Sequence, residues 1–296
     1  MHVASEFPLP ELLPWMGSPD AEPDLLFSYG AVPKHLSGAD HIGPLFQTKG
    51  DLYLLAVPGS ARFLVRGGRE VCVQPVDGGE EADARAIPSS TLQGVIYHQR
   101  GFFPLHASTV SSGGRAIAIA APSGTGKSTL AAALVARGFS VIGDDICVIR
   151  TGSDRDPLAL PTYPKLRLWS DAMEALGLDP KCWPTALGGK GKYLVDDMAE
   201  FSSEPVPLGD VVTLTREPSR RQLSLERLKG ADAVQAIVRN IHVRRPAGAL
   251  GFQRSLFMAA SHVATRTRVW RLLVPDAIER LADAADAISN LPVAKA

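Results

Sequence analysis

Eight consecutive residues constrain this chain more than any other part of it. Ala121-Pro122-Ser123-Gly124-Thr125-Gly126-Lys127-Ser128 follows the phosphate-loop (P-loop) pattern G-x-x-x-x-G-K-[ST] except at its first position, where alanine stands for glycine. The flanks agree with the loop. Residues 116–120, Ala-Ile-Ala-Ile-Ala, are small and continuously apolar, as in a strand covered on both faces. Residues 128–137 read as a helix closed by Gly138, and residues 140–142 as a strand. Strand, loop, helix and strand at this spacing make a βαβ unit and place the chain in the α/β class.

The chemistry of such a loop follows from its residue types. Gly124 and Gly126 let the backbone curl until several N–H groups point inward at phosphate oxygens, and the next helix adds its positive end. Lys127 then reaches the β- and γ-phosphates, and the Ser128 hydroxyl is a ligand for Mg²⁺. Ser123, Thr125 and Thr129 complete the expected nucleotide-binding set, with ATP and Mg²⁺ as the expected cofactors.

Asp144 and Asp145 close the strand 140–142 at the carboxyl edge of the sheet, where open α/β folds bind their ligands. One acid holds Mg²⁺, directly or through water, and the other accepts the proton of an attacking hydroxyl. The alternative is a plain surface Asp-Asp turn. His106 lies on a strand expected over 105–110, just ahead of the loop. Alone it reads as a hydrogen-bonded core histidine.

Around this unit the chain has a recognisable order. The first thirty-odd residues are rich in proline and acid and read as an extended arm with short strands. Strands are expected over 52–57, 61–65 and 70–76, the last two joined by a hairpin turn at Arg66-Gly67-Gly68-Arg69. An acidic loop over 78–84 leads to a helix capped by Ser89 or Ser90 and ended by Gly101. After the P-loop unit, residues 146–149 continue extended. Strands are expected over 206–214, 223–228 and 269–273, and helices over 231–241, 252–266 and 275–290. The expected division is an N-terminal arm and β-rich substrate or accessory region over 1–100 and a P-loop domain over 101–296.

Charge and composition exclude several classes. Lys and Arg number 31 and Asp and Glu 31, so no broad electrostatic footprint for nucleic acid or an anionic membrane is present. No apolar run approaches the ~18–20 residues of a membrane span, and the acidic, proline-bearing N-terminus does not read as a signal peptide. Three separated cysteines, Cys72, Cys147 and Cys182, argue against a disulfide framework or a paired zinc site. The expectation is a cytoplasmic protein without nucleic-acid or membrane partners.

In combination these residues resemble the catalytic domain of HPr kinase/phosphorylase. The elements are Pro104-Leu105-His106-Ala107, the loop Ser123–Ser128, Arg137-Gly138 and Asp144-Asp145, in matching order and spacing. Tyr163-Pro164-Lys165-Leu166-Arg167-Leu168-Trp169 and Lys192-Tyr193-Leu194 make the likeness greatest to the HPr-kinase-like serine kinases found with lasso-peptide maturation enzymes. The resemblance implies an HPr kinase/PEP carboxykinase-like nucleotide-binding core and transfer of the γ-phosphate to a serine or threonine hydroxyl of a peptide or protein, a lasso precursor among them. It implies Asp145 as proton acceptor, Lys127 and Ser128 as phosphate and Mg²⁺ contacts, His106 as a helper and Asp144 as a second metal ligand. It also implies a homo-oligomer, because relatives form rings. The chain departs from the family in lacking a recognisable downstream metal-site glutamate and the glycine-arginine loop of phosphorolysis.

Lys165, Arg167, Lys190 and Lys192 are the candidate substrate contacts. The first pair alternates with Leu166 and Leu168 on a strand, and the second pair lies in the glycine-rich loop Gly188-Gly189-Lys190-Gly191-Lys192. A solvated strand face and an ordinary surface loop are the bland readings of both. Arg244 and Arg245 are expected to complement the negative end of the helix before them, Arg220, Arg221, Arg266 and Arg268 to be solvated, and Trp169, Trp183 and Trp270 to be core or interface packing residues. A small-molecule kinase and a nucleotide-gated interaction module remain open beside the peptide kinase. The Ser-Gly-Gly-Gln signature of transporter ATPases and the Asn-Lys-x-Asp of GTPases are absent.

Overall fold

The computed structural model describes residues 2–9, 22–76, 91–152, 155–163, 165–186, 191–195, 201–275 and 281–291. They divide into two compact units, Met1–Phe102 with Val243–Ser255, and Phe103–His242 with Leu256–Ala296. The segment 243–255 therefore clusters with the first unit, whereas the sequence reading placed it in the P-loop domain.

The first unit holds strands β1 (Val3–Ser5), β2 (Leu25–Tyr29), β3 (His41–Ile42), β4 (Phe46–Lys49), β5 (Leu52–Val57), β6 (Ala61–Arg66) and β7 (Glu70–Pro75), and helix α1 (Gln93–Gln99). One sheet runs β1-β2-β7-β6-β5-β4-β3. The expected N-terminal arm is part of that sheet: β1 pairs in parallel with β2, and β2 with β7. The reason is alternation. Leu25 and Phe27 point inward to Phe63, Val65, Val71 and Ile96, while Leu26 between them is exposed. The β6–β7 hairpin forms as expected. The loop 78–84 and the caps Ser89 and Ser90 lie outside the described residues.

The second unit begins with β8 (Phe103–Leu105), β9 (Ala107–Ser112), β10 (Arg115–Ala120), α2 (Lys127–Val135), β11 (Ser140–Gly143), β12 (Cys147–Arg150) and β13 (Leu158–Leu160). Then come β14 (Leu166–Trp169), α3 (Ser170–Ala175), β15 (Lys192–Val195), β16 (Val206–Arg216), β17 (Ser224–Leu228) and α4 (Gly230–Arg239). After α5 (Arg244–Ala249), which belongs to the first unit, follow α6 (Gln253–Arg266), β18 (Arg268–Val274) and α7 (Leu281–Ser289). The main sheet runs β11-β9-β10-β16-β13-β12-β8, with β18 beside β16 and β17 beside β18. Strands β10, β16 and β18 are parallel, and β9 is antiparallel to both β10 and β11. The βαβ unit of β10, α2 and β11 thus has an antiparallel strand between its two members.

Ile117 and Ile119 of β10 join Leu130, Leu134, Val212 and Leu272 in one core, while Ala116, Ala118 and Ala120 on its other face are buried as well. That is why the strand carries no polar residue after Arg115. Helix α2 is an alanine-rich segment of high intrinsic propensity, buried along nearly its whole length.

Several expectations need correction. The strand expected over 105–110 is broken at His106, whose amide donates to the Asn240 carbonyl at 2.8 Å. Before the break, β8 pairs with β12; after it, β9 pairs with β10 and β11. Residues 146–149 do not prolong β11 either. The chain turns at Asp144-Asp145 and β12 pairs with β8 and β13. Arg244 and Arg245 do not complete a helix end; they open α5. Arg268 is no solvated charge, because its guanidinium grips the buried Asp210 carboxylate at 2.8 and 2.7 Å, with the Trp270 indole N–H on the same group.

Candidate active site

Between β10 and α2 the chain makes a tight loop whose shape depends on its glycines. Gly126 stands at φ 105° at the head of α2, a conformation that side chains with a Cβ rarely adopt. Position 121 makes no such demand. Ala121 is buried at ordinary φ, since Asp145 and Val243 are the described non-glycine residues with positive φ. Alanine therefore fits where the pattern has glycine.

The second wall is built by the Asp144-Asp145 turn. A Cβ on Gly143 would stand 1.9 Å from Thr162 Oγ1, so the end of β11 packs this closely against the Thr162 side chain only as glycine. Asp145 then adopts φ 71°, a left-handed conformation that a short polar side chain tolerates and that concentrates at functional turns.

The two carboxylates have different surroundings. Asp144 is buried at 6 % exposure. Its Oδ1 accepts from the Ser108 and Ser128 hydroxyls, the latter at 2.9 Å, and its Oδ2 accepts from the Arg167 amide at 2.8 Å. Asp145 opens into a cleft of about 460 Å³ lined also by Ser123, Gly124, Gly126, Lys127, Ser128 and Thr129. Its carboxylate lies 3.6 Å from the Arg167 guanidinium and 3.5 Å from His106 Nδ1. Burial pushes the Asp145 carboxyl up, but the charges of His106, Arg167, His242 and Lys127 outweigh it and hold the group below its ordinary range. Asp145 is therefore an anion facing the cleft.

Lys127 and His106 form a linked pair. Lys127 Nζ donates to His106 Nε2 at 3.0 Å and to the Pro122 carbonyl at 3.2 Å. His106 Nδ1 stands 3.1 Å from the Asp145 carbonyl oxygen, which only accepts. These contacts assign the neutral tautomer with the proton on Nδ1. Burial first, and then the Lys127 ammonium, lower the His106 pKa from 6.5, in keeping with a neutral ring. Burial lowers the pKa of Lys127 too, against the pull of Asp144 and Asp145.

Ser128 Oγ and Asp144 Oδ1 present two hard oxygens side by side, the donor type and number that suit Mg²⁺ shared with substrate phosphates. Among the described residues no group of three His, Cys, Asp or Glu gathers as a metal site of its own. These residues thus fit an ion that arrives with its phosphates.

The structure brings Ser123, Gly124, Gly126, Lys127, Ser128, Thr129, Asp145, Arg167 and Lys192 to one cleft, and Thr125 to its edge through a carbonyl that accepts from Arg216 Nε at 2.9 Å. Lys165 precedes β14 and is not among the lining residues; Lys190 lies outside the described residues. Four contributors escaped the sequence reading. Ser108 holds Asp144, Arg216 braces the loop from the end of β16, and His242 stacks on His106 with ring centroids 5.7 Å apart. Trp169 is 45 % exposed on the cleft wall, so it is not a core residue. None of these carried a distinct signal in the sequence; Ser108 stands beside the equally polar Thr109.

Comparisons with known proteins add little to this geometry. No family model matches the sequence, and no curated protein does. Among solved structures, the HPr(Ser) kinase/phosphatase from Coxiella burnetii aligns over 63 % of this chain and 88 % of its own, at 12 % identity and a TM-score of 0.34. A likeness at that score says nothing about activity, which has to come from the residues. No described helix is long and apolar enough to cross a membrane.

Proposed function

We propose that this chain is an ATP-dependent kinase that transfers the γ-phosphate to a serine or threonine hydroxyl of a peptide or protein. The acceptor class indicated by the sequence resemblance is a lasso precursor peptide. The observation that carries the reading is the convergence, in one cleft, of the glycine loop with Lys127, Ser128 and the anionic Asp145, with the buried Asp144 hydrogen-bonded to Ser128 beneath it.

Each group has a role set by its surroundings. The loop N–H groups and the positive end of α2 take the phosphates. Lys127 exchanges its His106 and Pro122 contacts for phosphate oxygens, which a charge-assisted bond favours. Ser128 and Asp144 would hold Mg²⁺, which when bound neutralises charge on the β- and γ-phosphates. The acceptor hydroxyl lies in line with the γ-phosphorus beside Asp145. As its oxygen bonds to phosphorus, the bond to the β,γ-bridging oxygen breaks, ADP departs and the hydroxyl proton passes to Asp145. A carboxylate of lowered pKa is a weak base, so Asp145 works mainly by orienting the hydroxyl and takes the proton late. A loose phosphoryl-transfer transition state asks for no more.

Asp145→Asn separates these roles. It keeps the volume and removes the acceptor charge, so nucleotide affinity should stay within about threefold while transfer falls by about 10²–10⁴. Undiminished transfer by this variant would refute the base assignment.

A further inference from the structure

Four basic side chains, Lys127, Arg167, Lys192 and Arg216, line the same cleft. Three of them are held by oxygen or nitrogen acceptors: Lys127 by His106 and Pro122, Arg167 by the Asp145 carboxylate, and Arg216 by the Thr125 carbonyl. Lys192 is different. Among the described residues no carboxylate lies within ion-pair distance of it, and its Nζ stands 5.2 Å from the centroid of the Trp169 ring.

That arrangement is built into the backbone. Trp169 and Lys192 are directly opposite in the β14–β15 ladder. The Lys192 carbonyl points away from β14 and accepts from the Ala186 amide at 2.9 Å. Gly191 before Lys192 takes φ 80°, a conformation that side chains with a Cβ rarely adopt, and lies beside the indole. Lys127, Arg167, Lys192 and Arg216 share the cleft with the Asp145 and Asp171 carboxylates, an excess of positive charge that favours an incoming anion. Meanwhile a ring face holds an exposed ammonium by only about 0.5–1 kcal/mol. A phosphate oxygen binds the same ammonium more strongly through a charge-assisted hydrogen bond.

We propose that Lys192 leaves the Trp169 ring for the γ-phosphate of a bound nucleotide, as a second phosphate-binding lysine. The inference rests on the phosphotransfer reading above and names a residue that reading does not require. The two lysines already sense one another, since Lys192 adds to the burial that lowers the Lys127 pKa. On the γ-phosphoryl group Lys192 would meet charge as it spreads over the equatorial oxygens.

The test is a tryptophan-emission titration of the full chain with Mg·ATP and Mg·ADP, alongside calorimetric affinities, for wild type, Lys192→Met, Lys192→Arg and Trp169→Phe. Departure of the ammonium from the indole should change wild-type emission with ATP and much less with ADP. The change should vanish in Lys192→Met and Trp169→Phe and persist in Lys192→Arg. Lys192→Met should bind ATP about tenfold more weakly, with ADP affinity within about twofold of wild type. An unaltered emission change or an unaltered ATP/ADP preference in Lys192→Met overturns the inference. So does nucleotide binding by wild type without any Trp169-dependent change. If wild type binds no nucleotide at all, the phosphotransfer reading falls with it.

Discussion

The hydroxyl of Ser128 donates to the Asp144 carboxylate at 2.9 Å, joining the first turn of α2 to the end of β11. The same carboxylate accepts from the Ser108 hydroxyl on β9 and the Arg167 amide on β14. Asp144 thus ties four elements together beneath the cleft. Its structural work is as clear as its proposed metal-binding work.

Asp144→Ala should therefore cost stability as well as activity. It leaves the buried Ser108 hydroxyl and the Arg167 amide without their acceptor, a loss of about 2–4 kcal/mol. Ser108→Ala removes one donor and keeps the carboxylate, so about 1 kcal/mol is expected. Urea unfolding of the two variants measures both numbers, and equal midpoints for wild type and Asp144→Ala would contradict the picture.

Gly143→Ala tests the close approach of β11 to Thr162. The new methyl would meet Thr162 Oγ1 at 1.9 Å, and overpacking of this kind costs about 1–3 kcal/mol. Thr162→Ala removes that hydroxyl, leaving a 3.2 Å contact to its Cβ. The double variant should then be less destabilised than the sum of the two single ones. Additive losses in a double-mutant cycle would mean that the two residues do not collide.

The His106–Lys127 pair predicts a pH dependence. Burial and Lys127 depress the folded pKa of His106 below 6.5, so the unfolded chain binds this proton more readily. The contribution to stability is complete above 6.5 and is lost as pH falls below it, until the folded ring protonates. Protonation also removes the lone pair that accepts from Lys127. Asp145, likewise lowered, has the same sign but acts below 3.8. Unfolding midpoints at about pH 7.5 and about pH 5 should fall more in wild type than in His106→Gln. Parallel falls would show that His106 is not held neutral in the fold.

Much of this was legible in the chain, and the reasons are local. The loop and its helix announce themselves because glycines, a lysine and a serine must fall at fixed offsets, and residues 52–57 match β5 because Gly50 and Pro58 bound them. Legibility failed where tertiary pairing decides. Residues 105–110 are uniformly compatible with one strand, and only the Asn240 carbonyl, far along the chain, breaks it at His106. Arg268 looks like any surface arginine until Asp210 on the neighbouring strand is set beside it. Trp169 offers no sequence cue to its exposure, because indoles are more often buried. The Asp-Asp pair was readable as a pair, but the different burial of its two members was not.

Phosphoryl transfer is the central claim, and intact-mass measurement tests it most directly. The full chain with Mg²⁺ and ATP is mixed in parallel with a leader-bearing lasso precursor peptide, free serine and HPr, with Lys127→Ala as control. One phosphoryl group gained on a serine of the peptide, and absent with the variant, is the predicted result. Gain on free serine alone would move the chain to the small-molecule kinases. Nucleotide binding without transfer to any acceptor would contradict the account and leave a nucleotide-gated interaction module in its place.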